Sequence, residues 1–161
     1  MPTRRQVTRF SLAAFTTMAA VAITGCGMMQ RQAPPAPAPD ANLVTLTTQL
    51  RASNEVPPVV SQGSGSVDAL FNKDNNLLRW RVSYTGLSGP ATAAHFHGPA
   101  PIGANAGVAL PWPGPVSSPM EGRATLTAAQ AADLLAGRWY ANIHTATHPG
   151  GEVRGQMTVR N

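Results

Sequence analysis

The sequence predicts an all-β domain, a sandwich or barrel of about seven or eight short strands with one short helix. Apolar and polar residues alternate with a period of two through most of the chain after residue 42, which is typical of strands that bury one face. Turn residues, mainly Gly, Pro, Asn and Asp, separate these stretches at short intervals. We therefore expect one β domain over residues 43–161.

The first half of this domain contains the clearest strand signals. Strands are expected over residues 43–52, 65–71 and 77–84, and the turn cluster 72–76 joins the last two as a hairpin. In the strand 77–84, large apolar side chains share one face, and two arginines project from the other. The face expected in the core consists of Leu78, Trp80, Val82 and Tyr84.

The single helix is expected over about residues 128–136. Thr127 and Gln130 have the spacing of a capping box, in which each side chain bonds the other residue's backbone amide. Gly137 is placed to end the helix in a left-handed conformation. Since about ten residues are too few for a stable isolated helix, it must pack on the sheet.

The remaining strands are expected over residues 92–97, 108–112, 122–127, 138–145 and 152–159. Alternation in the last strand places Val153, Met157 and Val159 inward, and it places Glu152 and Arg154 outward with the other polar residues. Aromatic residues such as Trp139 are expected in the core. Trp112 lies between two prolines, and we expect it to be an exposed contact residue.

The N-terminal residues 1–25 have the form of a secretory signal peptide. Arg4, Arg5 and Arg9 precede an uncharged apolar run over residues 10–23, with small residues at its end. This run is shorter than the ~20 residues that a membrane-spanning helix needs. Export from the cytoplasm is therefore expected, by either the general secretory or the twin-arginine route.

Ile23-Thr24-Gly25-Cys26 resembles the bacterial lipobox. The resemblance implies that Cys26 becomes the first mature residue and carries diacylglycerol, usually with a further acyl chain on its amine. Two or more acyl chains give stable membrane attachment, so the expectation is a lipoprotein anchored to the bacterial cell envelope, on its periplasmic side or at the cell surface. The alternative is an ordinary signal peptide followed by a chance cysteine.

Residues 26–42 are expected to form a linker that begins at the lipidated cysteine. The prolines disfavour helix and strand pairing and favour extended polyproline II. At ~3.1 Å per residue, such a linker spans up to roughly 45 Å. The linker prolines are Pro34, Pro35, Pro37 and Pro39.

Composition excludes several classes of protein. The chain has 12 Lys and Arg against 7 Asp and Glu, but three of these arginines belong to the predicted signal peptide. The domain has no basic run interleaved with aromatic residues, so nucleic-acid binding is not expected. Cys26 is the only cysteine, which excludes an intramolecular disulfide.

The most informative motif is His95-Phe96-His97, at the end of an expected strand. Alternation places His95 and His97 on one face, while Ala94 and Phe96 lie on the other. His144 becomes a third ligand if its strand lies beside or opposite, and His148 is a weaker fourth candidate. Three imidazoles with an open position suit copper or zinc. The alternative is structural, with these histidines only pinning the loop 98–107 to the sheet.

Glu55 and Arg154 are expected to form a buried or half-buried ion pair between the first and last strands, the alternative being a substrate-binding role.

Catalysis is not expected. No serine lies in a Gly-x-Ser-x-Gly context between a strand and a helix, so a nucleophile elbow is not indicated.

Three segments taken together resemble the CHRD domain, a module named from chordin and common in bacterial secreted proteins: residues 54–58, residues 94–100, and residues 140–144 leading to 149–156. The similarity covers residues 43–159, with Ala141 where a β-branched residue is usual. It implies an all-β, immunoglobulin-like or Greek-key sandwich, and by analogy a likeness to Cu/Zn superoxide dismutase, whose two-metal site this chain lacks the residues to assemble.

The expected function is that of a non-enzymatic binding module in the cell envelope. It is expected to bind copper or zinc through His95, His97 and His144. The alternatives are a structural or interaction protein, whose partner the sequence does not name, and, more weakly, a superoxide-handling metalloenzyme.

Overall fold

The computed structural model describes residues 41–160, so the predicted signal peptide, Cys26 and most of the linker lie outside it. The described residues form nine strands, one short 3-10 helix (Ala52–Asn54) and one α-helix, α1 (Ala128–Leu135). The strands are β1 (Leu43–Arg51), β2 (Ser64–Asn72), β3 (Leu77–Thr85), β4 (Ala91–His97), β5 (Val108–Pro111), β6 (Met120–Thr125), β7 (Tyr140–Thr145), β8 (Val153–Gln156) and β9 (Thr158–Val159).

The strands form one antiparallel sheet in the order β5-β4-β7-β8-β1-β2-β3-β6, with β9 paired to β1. The sheet curls so that strands far apart in this order face each other across the core. Trp80 of β3 packs edge-on against Phe96 of β4, with ring centroids 5.3 Å apart. The all-β prediction is confirmed.

Alternation in β1, β2 and β3 agrees with the sequence pattern. Leu46, Leu50, Val67 and Val82 have no exposed surface, while their neighbours along each strand face outward or are half-buried. α1 begins with the predicted capping box between Thr127 and Gln130. Gly137 follows with a φ of 69°, the left-handed conformation expected after a helix.

Trp112 is buried, and its predicted exposure is wrong. Only 6% of it is exposed, and its ring packs against Phe96 with centroids 5.0 Å apart. Its amide donates to the carbonyl of Ala94, which continues the pairing with β4 beyond the end of β5. Successive side chains on an extended segment point to opposite sides. Pro111 and Pro113 therefore face solvent, while the indole contributes a large apolar area to the core.

The outer faces of β7 and β8 are also buried, contrary to the predicted polar face of the last strand. Every residue of β7 is buried, and Glu152 and Arg154 are 0% and 2% exposed. Loops cover this side of the sheet; the Arg154 guanidinium, for example, donates to the Ala104 carbonyl at 2.6 Å. Val159, expected inward, is 39% exposed because β9 lies at the margin of β1.

Residues 41–160 contain a continuous buried core of their own. All members of the apolar cluster lie between Leu46 and Met157. A segment that carries its own core is expected to fold alone, so residues 27–161 are a suitable protein for experiments. Within residues 41–160, no helix is long and apolar enough to cross a membrane.

Candidate metal centre

Three of the four predicted ligand residues come together on the outer face of β4 and β7. These strands pair in antiparallel register, with Ala93 opposite His144 and His95 opposite Asn142. Nδ1 of His95 lies 3.1 Å from Nε2 of His144. One ring nitrogen from each of His95, His97 and His144 lies within 4.8 Å of the other two. The sheet therefore brings all three imidazoles into one cluster.

Backbone carbonyls define the tautomer of two of these rings. Nδ1 of His97 lies 3.0 Å from the Ala106 carbonyl oxygen, and Nδ1 of His144 lies 2.9 Å from that of Pro149. Because a carbonyl oxygen only accepts, Nδ1 carries the proton in both rings, and Nε2 keeps its lone pair when the ring is neutral. Nε2 of His144 then accepts from the Nδ1–H of His95.

The lone pair of His97 has no partner. Nε2 of this ring is buried and makes no hydrogen bond to any described residue. Buried polar atoms are normally paired, so an orphan at a ligand position needs an explanation. The cluster thus presents an unused nitrogen lone pair beside the other two imidazoles.

The surroundings favour neutral histidines. Burial, with smaller contributions from His144 and His97, lowers the pKa of His95. Burial also lowers the pKa of His144, although its bond to the Pro149 carbonyl acts in the opposite direction. Neutral imidazole is the form that binds metal, and both rings are in this form at neutral pH.

An aromatic stack supports His97 from behind. The Tyr140 ring is nearly parallel to the imidazole, at 4° with centroids 4.9 Å apart, and the Arg154 guanidinium lies 3.4 Å from the centroid of the Tyr140 ring. The Tyr140 hydroxyl accepts from the Ala106 amide at 3.2 Å and donates to the Ala106 carbonyl at 3.3 Å. Tyr140 was not predicted as a site residue, although its position on the same strand face as His144 is a signal that indicates it.

The loop 98–107 closes one side of the cluster, and its start depends on Gly98. A Cβ at this position would lie 2.5 Å from Cδ1 of Trp139 and 2.9 Å from the Arg138 carbonyl oxygen. Asn105 then accepts from Arg154 at 2.8 Å. The glycine after the His-x-His motif is therefore needed for the chain to turn over the core tryptophan.

His148 does not join the cluster. It is half-buried in the turn between β7 and β8, where its backbone carbonyl accepts from the amides of Thr145 and Gly151. The group of candidate ligands among residues 41–160 contains only the other three histidines.

Glu55 and Arg154 are both buried, but they do not make the direct ion pair expected from the sequence. No contact within 4.0 Å joins the two charges in the described part of the chain. The Arg154 donors instead bind Asn105 and Ala104, while Glu55 Oε1 lies 3.5 Å from Nδ2 of Asn142. Burial raises the pKa of Glu55 to about 7, because it outweighs the opposing effect of the Arg154 charge.

Glu152 forms a second buried polar cluster that the sequence pattern did not predict. Its carboxylate accepts from the hydroxyls of Ser61, Ser88 and Thr145 and from the Ser88 amide, over distances of 2.5 to 2.7 Å. Burial alone would raise its pKa, but these four donors lower it to about 2. The carboxylate is therefore a structural link between β7 and the loops around Ser61 and Ser88.

The family comparison agrees with this architecture. A family model for the CHRD domain matches residues 46–157, a range that includes the core and all three clustered histidines. No curated protein and no solved structure matches the chain. The chain belongs to the CHRD domain family.

Proposed function

We propose that this protein is a lipid-anchored CHRD module of the bacterial cell envelope that binds one copper or zinc ion through His95, His97 and His144. The buried, unpartnered Nε2 of His97 is the observation that supports metal binding most strongly. Membership of a family of non-catalytic modules supports binding rather than catalysis.

The spacing of the ring nitrogens suits a single ion. Metal–nitrogen bonds of about 2.0–2.1 Å in a tetrahedral site separate two ligand nitrogens by roughly 3.3 Å. The separation of 3.1 Å between His95 Nδ1 and His144 Nε2 is close to this value. A ring nitrogen of His97 lies within 4.8 Å of the ligand nitrogens of the other two histidines. Binding through Nδ1 of His95 moves the proton of that ring to its Nε2.

The ligand chemistry favours late transition metals. The cluster offers three imidazoles and no carboxylate, a set that suits copper and zinc better than magnesium or calcium. Between the two, copper binds such nitrogen ligands more tightly at equilibrium. Three ligands also leave a coordination position for water or an exogenous donor.

The backbone carbonyl groups that accept hydrogen bonds from the histidines would be outer-sphere partners in such a site. A histidine ligand usually donates its other ring N–H to a carbonyl or carboxylate, which fixes its orientation. Ala106 and Pro149 provide these acceptors for His97 and His144.

The structural alternative rests on the same two bonds, since they connect the loop 98–107 and the β7–β8 turn to the sheet. This alternative explains the Nδ1 contacts but leaves His97 Nε2 without a function. It predicts that a chelator leaves the melting temperature of the wild-type protein unchanged after metal has been offered. The metal-site proposal predicts a lower melting temperature on chelation, because a bound ion stabilises the folded state.

The test is metal uptake by residues 27–161, measured by calorimetry and elemental analysis. We expect one equivalent of Cu or Zn in the wild type and in a His148→Ala control, and none in a His95→Ala/His97→Ala variant. The proposal fails if the wild type takes up no more metal than the double variant does.

The proposed membrane anchor has separate support in the lipobox-like residues 23–26 and the proline-rich linker that follows them. Its test does not involve the metal site, so the membrane anchor and the metal site are tested independently.

A further inference from the structure

Two arginines lie side by side on the solvent face of the sheet, remote from the histidine cluster in strand order. Arg79 of β3 is directly opposite Arg123 of β6, and Leu70 and Thr45 continue the same row across β2 and β1. Residues opposite one another in a ladder project from the same face, and like charges in this arrangement are destabilising. All four residues are exposed. A bound anion would relieve the repulsion between the two guanidinium groups.

The acidic residues of this surface are engaged in the neighbouring row. Arg81 lies between Asp68 and Glu121 in register, and it forms a salt bridge of 3.9 Å with Glu121. Asp68 accepts a hydrogen bond from the Thr47 hydroxyl at 2.9 Å. In the described part of the chain, neither Arg79 nor Arg123 takes part in a salt bridge. The positive charge of their row is therefore not neutralised by the protein.

This row borders an open groove of about 890 Å³. Leu70, which is 40% exposed, and Pro113 add apolar surface beside the guanidinium groups. The lining also contains Arg81 with the carboxylates Asp68 and Glu121, so three arginines face two acids and the groove keeps a net positive charge beside an apolar margin. Such a surface is complementary to a phosphate group carried on an apolar body.

The N-terminal linker joins the sheet next to the same row. β1 begins at Leu43, two residues before Thr45, and Leu43 is 36% exposed. The carbonyl of Asn42 accepts from the amide of Lys73, an exposed residue in the turn between β2 and β3. A membrane anchor at Cys26 would therefore connect to the domain at the end where the two arginines lie.

We propose that Arg79 and Arg123 bind the phosphate groups of anionic phospholipids, so that this face of the sheet rests on the membrane surface. The planar guanidinium group matches phosphate oxygens with paired N–H donors. The choice of a membrane as the occupant rests on the proposed anchor at Cys26, whereas the arginine pair is independent of the metal site.

The experiment measures co-sedimentation of residues 27–161, which lack the acylated cysteine, with vesicles of phosphatidylglycerol and phosphatidylcholine at low salt. The Arg79→Gln/Arg123→Gln variant should lose roughly 30-fold in partition coefficient, the amount expected for two basic residues at an anionic surface. The matched control compares single variants: Arg123→Gln should lose roughly fivefold, whereas Arg138→Gln, which removes the same charge away from this face, should change the coefficient less than about twofold. All of these variants should bind metal as the wild type does.

Three results would overturn the proposal. Equal losses in Arg123→Gln and Arg138→Gln would mean that binding depends on net charge alone. Absence of wild-type binding to the anionic vesicles would exclude the lipid surface. Full displacement by millimolar inorganic phosphate, with chloride at the same ionic strength having no effect, would identify free phosphate as the ligand instead.

Discussion

The Nδ1–H of His97 donates a hydrogen bond to the carbonyl oxygen of Ala106 at 3.0 Å. This bond couples the conformation of the loop 98–107 to the tautomer of a candidate metal ligand. It positions the loop 98–107 over the cluster and leaves the lone pair on Nε2 of the ring. Tyr140 supports the arrangement by stacking on His97 and bonding both backbone groups of Ala106.

Tyr140 should therefore affect metal affinity through the position of His97. Tyr140→Ala removes the stack and the bonds to Ala106, and we expect a 10- to 100-fold loss in affinity, as is typical for outer-sphere partners. Tyr140→Phe keeps the stack and should lose less. Calorimetric titration of both variants measures the difference, and unchanged affinity in Tyr140→Ala would show that the stack does not position the ligand.

Glu152 should make the domain sensitive to acid. Its folded pKa of about 2 lies below the ordinary glutamate pKa of 4.5, so its stabilising effect is present above pH 4.5 and is lost as the pH falls toward 2. This shift corresponds to about 3 kcal/mol in the free energy of unfolding. Urea unfolding between pH 2 and 5 should show this loss in the wild type and in Glu121→Gln, an exposed control. A Glu152→Gln variant with the same slope would contradict the prediction.

Glu55 should have the opposite effect. Its pKa rises from 4.5 to about 7 on folding, so the free energy of unfolding should decrease as the pH rises from 4.5 through 7, by about 3 kcal/mol at most. Glu55→Gln cannot ionise and should lack this decrease. The comparison is made by urea unfolding at pH 5 and pH 8, and identical pH profiles for the two proteins would count against a buried, protonated Glu55.

Gly122 should be intolerant of a side chain. A Cβ there would lie 2.3 Å from Cζ2 of the Trp80 ring, which is 3% exposed and fills the core beneath β6. Gly122→Ala should lower the free energy of unfolding by about 1–3 kcal/mol, the usual cost of overpacking. Gly107→Ala is the control, because nothing lies within 4 Å of its Cβ position. Equal unfolding midpoints in denaturant for the two variants would refute this packing argument.

Cys26 should carry the membrane anchor. In cells, Cys26→Ser should abolish labelling by a palmitate analogue and release the protein from the membrane fraction. Cys26 is the only cysteine, so labelling that persists in the variant would place the lipid elsewhere and exclude the lipobox interpretation.

The sequence predicts the elements well where only one face of a strand is buried. The alternation in β4 correctly places Phe96 in the core and His95 on the other face. The same rule fails for Glu152 and Arg154, because loops cover the outer faces of β7 and β8, and alternation contains no information about a second covering layer. The prediction also fails for Trp112. Its flanking prolines indicated a loop, whereas the Trp112 amide continues the pairing with β4.

Part of the candidate site could also be predicted from the sequence. The two-residue spacing of His95 and His97 predicts a shared face, whereas the position of His144 beside them depends on the pairing of β4 with β7. The carbonyls of Ala106 and Pro149 have no signature in the sequence, since any residue provides a carbonyl and only the loop conformation directs it.

The most direct test of the central proposal is X-ray absorption spectroscopy of residues 27–161 loaded with one equivalent of copper or zinc. The proposal predicts three imidazole nitrogens at about 2.0–2.1 Å, with one of them lost in His97→Ala and none lost in His148→Ala. A bound metal with fewer than two imidazole ligands, or a spectrum that His97→Ala leaves unchanged, would contradict it.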